Sequence, residues 1–167
     1  MKNIDFREAT IQDKIFIEKL FIEGVKYNHY KASILDGSTI KYLIKGERNL
    51  LDNSIPQAAI CCLNNKDIGF LIMSSRSGGI VEFHYFSLLK EYRNKGYGDT
   101  IVKKIQAMYK QNAKNAPIFM ARCSDSSSAM KKVFVNNNFK KKEGSESGWS
   151  TYIKCDDKTL ENDLLNI

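Results

Sequence analysis

The sequence predicts a mixed α/β domain with one sheet and helices on its faces. Apolar residues repeat at helical spacing in separate windows. Strand-length runs rich in β-branched and aromatic residues stand between them, and turn residues mark the junctions. The 167 residues suit one domain able to bury its own core.

In chain order, Asn3–Arg7 reads as a short first strand. Thr10, with Asp13 three residues on, resembles a capping box. Ile17, Leu20, Phe21, Gly24 and Val25 then recur at helical spacing, so residues 11–26 form a helix. Residues 27–54 carry polar aromatics, and Thr39–Gly46 reads as a second short helix. Pro56–Leu63 and Ile68–Ser74 read as a hairpin around the Asn64-Asn65-Lys66-Asp67 turn. After a turn at Ser77-Gly78-Gly79, Ile80–Leu88 is a β-branched and aromatic strand. Gly96–Gln111 is an amphipathic helix, with Ile101, Val102, Ile105, Met108 and Tyr109 on one stripe. Pro117–Cys123 is a strand, and Asp125 or Ser126 caps a helix running to about Asn137. Phe139–Glu143 and Gly148–Cys155 close the domain as a hairpin. The domain spans residues 1–155, and residues 156–167 read as an acidic C-terminal tail.

Composition excludes several classes. No apolar run reaches the roughly 18 residues of a membrane span. The charged N-terminus lacks a signal-peptide core, so the expected location is cytoplasmic, with no membrane partner. Cys61, Cys62, Cys123 and Cys155 form no C-x-x-C, and with only His29 and His84 available no metal site is expected. Adjacent Cys61 and Cys62 point to opposite faces of a strand. The net charge is +7. The surplus falls in residues 101–140, where Lys103, Lys104, Lys110, Lys114, Arg122, Lys131, Lys132 and Lys140 stand against Asp125. A local surplus suits a bound anion, or a solvated helix face. No recognised nucleic-acid signature accompanies it, so nucleic acid is not an expected partner.

The stretch that carries chemistry is Glu82–Asp99, where a strand, a polar loop and a helix N-terminus follow one another. Gly96 and Gly98 allow a tight turn and close approach of a ligand. The N–H groups of a helix N-terminus, with the positive dipole end behind them, bind phosphate. Arg93, Gly96 and Gly98 match the Q/R-x-x-G-x-G/A signature, and Phe134 to Phe139 matches aromatic-x-x-x-G-F with Asn138 in place of Gly. Asn tolerates the left-handed backbone that Gly supplies. On these motifs the chain resembles the GNAT superfamily of N-acetyltransferases, over nearly its whole length.

The resemblance implies a twisted, mostly antiparallel sheet with a splayed parallel pair, flanked by helices. It implies acetyl-CoA as the acyl donor. The loop Arg93, Asn94, Lys95, Gly96, Tyr97, Gly98 and Asp99 would meet the pyrophosphate, through the N–H groups of Asn94, Gly96, Gly98 and Asp99. The strand backbone of Phe86, Ser87 and Leu88 would pair with pantetheine. Asp99 departs from the small or hydroxyl residue of many relatives and reads as a favourable first-turn carboxylate. Ser127, Lys131 and Phe134 complete the expected cofactor contacts, with Lys132 and Lys103 or Lys104 as further candidates for the adenosine end.

N-acetylation needs a base for the attacking amine and a route for the thiolate. Glu82 matches the place of a catalytic glutamate in the histone-acetyltransferase branch. Period two puts Glu82, His84, Phe86 and Leu88 on one face. Neighbouring aromatics would raise the carboxyl pKa. The alternative for Glu82 is a structural glutamate. His84 is the second candidate, alone or as a relay, against a satisfied core histidine. The family's usual acid, a tyrosine, is Phe134 here, so either the thiolate leaves unassisted or another donor serves, such as Tyr85 or a serine near Ser126–Ser128. The resemblance implies an acceptor gripped by the first helices and the last hairpin, where Tyr27, His29, Tyr30, Tyr42, Trp149 and Tyr152 stand; these aromatics equally suit a plain core. The expected activity is acetyl transfer to a primary amine of a small molecule, peptide or protein by direct attack on the thioester, in a monomer or homodimer. A non-catalytic acyl-CoA-binding module is the alternative.

Overall fold

The computed structural model describes residues 3–47, 54–76, 78–112, 116–143 and 147–166. The strands are β1 (Ile4–Glu8), β2 (Ile55–Leu63), β3 (Lys66–Arg76), β4 (Ile80–Leu88), β5 (Ile118–Ser124), β6 (Lys140–Lys141) and β7 (Trp149–Lys154). The helices are α1 (Lys14–Lys26), α2 (Gly37–Lys45), α3 (Tyr97–Asn112), α4 (Ser128–Asn136) and α5 (Lys158–Asn166). Among the described residues one sheet forms, in the order β1-β2-β3-β4-β5-β7-β6. Among the described residues neighbouring strands pair antiparallel, except β4 with β5, which are parallel.

Local chemistry explains most junctions. The Thr10 N–H donates to the Asp13 carboxylate at 2.8 Å, as the capping box requires. A 3-10 turn, Ile11–Asp13, precedes α1, so the predicted helix starts with a tighter turn. Asn64 and Asn65, both with positive φ, turn the β2–β3 hairpin. The Asn138 substitution works as expected: its φ is 63°. The Phe139 N–H bonds to the Phe134 carbonyl and the Asn138 N–H to Val135, and the two Phe rings meet at 5.1 Å. This is a Schellman cap. Neither Asp125 nor Ser126 caps α4; Ser127 holds that position. The Ser126 hydroxyl instead donates to the Asn28 carbonyl at 3.0 Å. The β3–β4 turn was predicted at Ser77-Gly78-Gly79, of which Ser77 lies outside the described residues.

The two faces of the sheet carry two cores. Leu71, Met73, Val81, Phe83 and Phe119 pack against Ile101, Val102, Ile105 and Phe134 of α3 and α4. Ile60, Phe70 and Ile72 pack against Ile17, Leu20 and Phe21 of α1 and Ile40, Leu43 and Ile44 of α2. Cys61 and Cys62 divide between these cores, as strand alternation requires.

The segment read as an acidic tail is a helix. In α5, Leu164 and Leu165 pack on Ile118, Ile153 and Cys155. Glu161 is 0% exposed and pairs with Lys140 at 2.8 Å and Lys158 at 3.1 Å. Lys110 pairs with Asp156 at 2.6 Å. Part of the lysine surplus of residues 101–140 therefore anchors the C-terminal segment. We expect Glu161→Ala to lower stability by about 1–3 kcal/mol, because a buried, charge-assisted network is broken. Chemical denaturation checks this, together with faster amide exchange confined to α5.

Candidate functional site

The site begins where the parallel pair opens. β4 and β5 are paired from Ile80 and Ile118 to Phe83 and Ala121. Beyond that point β4 runs on to Leu88 and β5 to Ser124 without pairing each other. On its other side β4 stays paired with β3 up to Leu88. The Leu89 N–H bonds to the Ile68 carbonyl, and the register then alternates. Ser87 and Tyr85 turn their N–H and C=O groups to β3, whereas Phe86 and Leu88 turn theirs into the gap. Two side chains already reach those carbonyls. The Tyr30 hydroxyl donates to Phe86 O at 2.7 Å, and Arg93 Nε donates to Leu88 O at 2.7 Å.

A β-bulge interrupts β4. Ile72 faces Tyr85 and Met73 faces Phe83, which leaves His84 as the extra residue. The bulge overturns the expected shared face of Glu82, His84, Phe86 and Leu88. Val81, Phe83, Phe86 and Leu88 all pack on the α3–α4 side, and Tyr85 packs on the α1–α2 side. Glu82 stands opposite Ser74, one residue from Met73, and so lies on the α1–α2 side.

The loop Arg93–Asp99 closes one end of the gap. Asn94 (φ 57°) and Gly96 (φ 77°) supply two left-handed residues that swing the chain into α3. The first-turn N–H groups of α3 are not used within the helix. Gly98 serves packing: a Cβ there would meet Val133 Cγ2 at 3.0 Å. The Arg93 guanidinium also forms a two-pronged pair with Glu23 of α1, both contacts at 2.7 Å. That pair holds the Glu23 carboxyl below its ordinary pKa. Arg93 thus ties α1, the end of β4 and the loop together.

These elements enclose a cleft of about 680 Å³. It is lined by Glu82 to Leu88, by Arg93, Asn94, Gly96, Gly98 and Asp99, and by Ser127, Lys132 and Phe134, with Tyr30, Arg122 and Trp149 across from them. Glu82 has a side chain 12% exposed, with Oε2 on Arg76 at 2.5 Å and Oε1 4.0 Å from His84 Nδ1. The other ring nitrogen of His84 meets the Ser74 hydroxyl at 2.7 Å. Cys123 also lines the cleft, and burial pushes its thiol up to about 11. A thiol so protonated is a poor nucleophile, which disfavours a covalent acyl-cysteine.

No family model and no curated protein matches the sequence. Solved structures do match in shape. The paiA N-acetyltransferase of Thermoplasma acidophilum, crystallised with coenzyme A, superposes with a TM-score of 0.71 at 16% identity, covering 92% of this chain and 99% of that one. A Salmonella typhimurium acetyltransferase that modifies the N-terminal serine of ribosomal protein L7/L12 gives 0.69 at 11%, covering 93% and 96%. A GNAT-family acetyltransferase of Staphylococcus aureus gives 0.66 at 16%, covering 92% and 99%. The chain has the GNAT acetyltransferase fold.

Within this GNAT fold the expected residues divide. Glu82, His84, Tyr85, Phe86, Ser87, Leu88, Arg93, Asn94, Gly96, Gly98, Asp99, Ser127 and Phe134 line one cleft; Lys95, Tyr97 and Lys131 do not. Lys131 turns to the Asp125 carbonyl at 2.8 Å, and its neighbour Lys132 takes the place at the cleft. Lys104 reaches the Ile4 carbonyl and pairs with Asp5 at 2.9 Å, over the Phe6 ring, so it is spent on β1. Asp99 accepts from Asn137 Nδ2 at 3.3 Å and ties α3 to α4. Tyr85 packs edge-on against Phe21 and Tyr30, and burial raises its hydroxyl pKa.

Sequence reasoning placed Tyr30 only at the acceptor end. The signal that could have found its seat is Gly24, whose added Cβ would fall 2.2 Å from the Tyr30 ring. Gly24→Ala should push the ring off the Phe86 carbonyl and cost about 1–3 kcal/mol. A denaturant titration measures the stability loss, and the change in intrinsic tyrosine fluorescence reports the ring's displacement.

Proposed function

We propose that the protein is an acetyl-CoA-dependent N-acetyltransferase that passes the acetyl group directly to a primary amine. The observation that carries this reading is the opening between β4 and β5, with unpaired strand backbone along one wall and a helix N-terminus at its end. The Phe86 and Leu88 N–H groups suit an extended amide-bearing chain, and the α3 N-terminus with Lys132 suits phosphates. The bulge puts Glu82 on the far side of the sheet from Phe86 and α3. The donor then enters from the α3–α4 side and the amine from the side of the base.

In the reaction the amine nitrogen forms the new C–N bond and the C–S bond breaks. Glu82 takes the amine proton, directly or through a water, with His84 beside it as a relay. Tyr30, on the gap-facing Phe86 carbonyl, supplies the proton that the departing thiolate takes. Phe134 is 3% exposed and packed among aromatic rings, and it has no proton to give. That residue favours the second reading, a non-catalytic acyl-CoA-binding module.

Free thiol measured with acetyl-CoA and a panel of amines separates the two. The enzyme reading predicts thiol release only when an amine is present, with an acetylated product. Binding of acetyl-CoA without amine-dependent release contradicts it.

A further inference from the structure

We propose that Glu23 is a positioning residue for the acyl donor, acting through Arg93 on the gap-facing edge of β4. The inference rests on the acetyltransferase reading and deepens its account of the donor site.

That edge is held from one side. Beyond Phe83, among the described residues, β4 has β3 as its strand partner and β5 no longer pairs with it. A strand end held on one side is free to fray. Two side chains stand in for the departed strand and grip the two gap-facing carbonyls, Tyr30 on Phe86 O and Arg93 on Leu88 O. Each carbonyl oxygen keeps a second lone pair. The Phe86 and Leu88 N–H groups still face the gap, where an amide-bearing chain would pair.

Both grips trace to one turn of α1. Tyr30 is seated against Gly24. Arg93 is oriented by the neighbouring residue, Glu23. A guanidinium is planar and rigid. Its Nη1 and Nη2 each lie 2.7 Å from a different Glu23 oxygen, which fixes the plane and aims Nε at Leu88 O. Glu23 stands 70 positions earlier in the chain, so the Arg93–Asp99 loop does not supply this orientation itself.

Charge and position give opposite expectations. Coenzyme A carries phosphates, so on charge alone the loss of the Glu23 carboxylate would strengthen its binding. A carboxylate that holds the β4 edge in register does the reverse. Its loss loosens the wall on which the donor must pair, and ordering that wall then opposes binding.

Calorimetric titration with coenzyme A compares the parent with Glu23→Gln, Arg93→Lys and the double variant. Gln keeps an acceptor for the guanidinium, and Lys keeps the charge without the fork that reaches Glu23 and Leu88 together. The pair is partly exposed, so folding should survive, and thermal melts set a titration temperature below the unfolding of each variant. Each single variant is expected to bind coenzyme A about 5- to 20-fold more weakly. The double variant should match the weaker single variant within about twofold. Binding by Glu23→Gln as tight as the parent's, or tighter, overturns the inference and leaves the acyl-donor reading standing. Losses that multiply in the double variant overturn the route through Arg93. No binding by the parent overturns the donor reading and this inference with it.

Discussion

Glu82→Gln is expected to lower kcat/KM by about 10²- to 10⁴-fold, the range that a positioned acid–base group contributes. Gln keeps the length of the side chain and can still accept from Arg76, so the 2.5 Å contact keeps an acceptor. It cannot take a proton. Removing one charge from a partly exposed pair costs about 0–1 kcal/mol, so folding survives. The acidic limb of the parent's pH profile should disappear in the variant, because the group that must lose its proton is gone. His84→Gln separates base from relay. A relay makes that loss smaller than the Glu82 loss, and a histidine base makes it larger. An unchanged rate and an unchanged acidic limb in Glu82→Gln would remove the carboxylate from the mechanism.

Gly69→Ala is expected to lower stability by about 3 kcal/mol and the melting temperature by roughly 6–12 °C for a domain of this size. Gly69 lies in β3 directly against β4. A Cβ there would stand 2.2 Å from the Ser87 carbonyl oxygen, 2.7 Å from Leu88 Cδ2 and 3.0 Å from Leu88 Cα. Two of those atoms are backbone and cannot swing aside, so the strands must separate. The same backbone forms the wall of the gap, which couples the stability loss to weaker acyl-donor binding. Thermal melts read the first effect and calorimetry the second. A melting temperature equal to the parent's contradicts the close approach.

The sequence made the element order legible because each element is written locally. The glycine-containing loop, the helical stripe of α3 and the left-handed Asn138 are all short-range signals. What escaped was long-range. Arg93 looked like a ligand residue, yet its guanidinium is held by Glu23, far away in the chain. The bulge at His84 reverses the face of every following residue, and a strict period of two cannot show where a strand gains a residue. Helix α5 was hidden by its acidic composition. Its few apolar residues find the sheet, and its carboxylates answer lysines that had been counted as a surface surplus. Lys131 and Lys132 differ only in which way the helix turns them.

On the proposed reading, the gap between β4 and β5 holds an acyl-CoA with its phosphates at the α3 N-terminus. Calorimetric titration of the protein with coenzyme A tests it most directly. Saturable one-to-one binding is expected, weakened several-fold by Lys132→Gln. The melting temperature should rise by roughly 5–10 °C at a hundredfold excess over Kd. No heat of binding and no thermal shift at millimolar coenzyme A would contradict it.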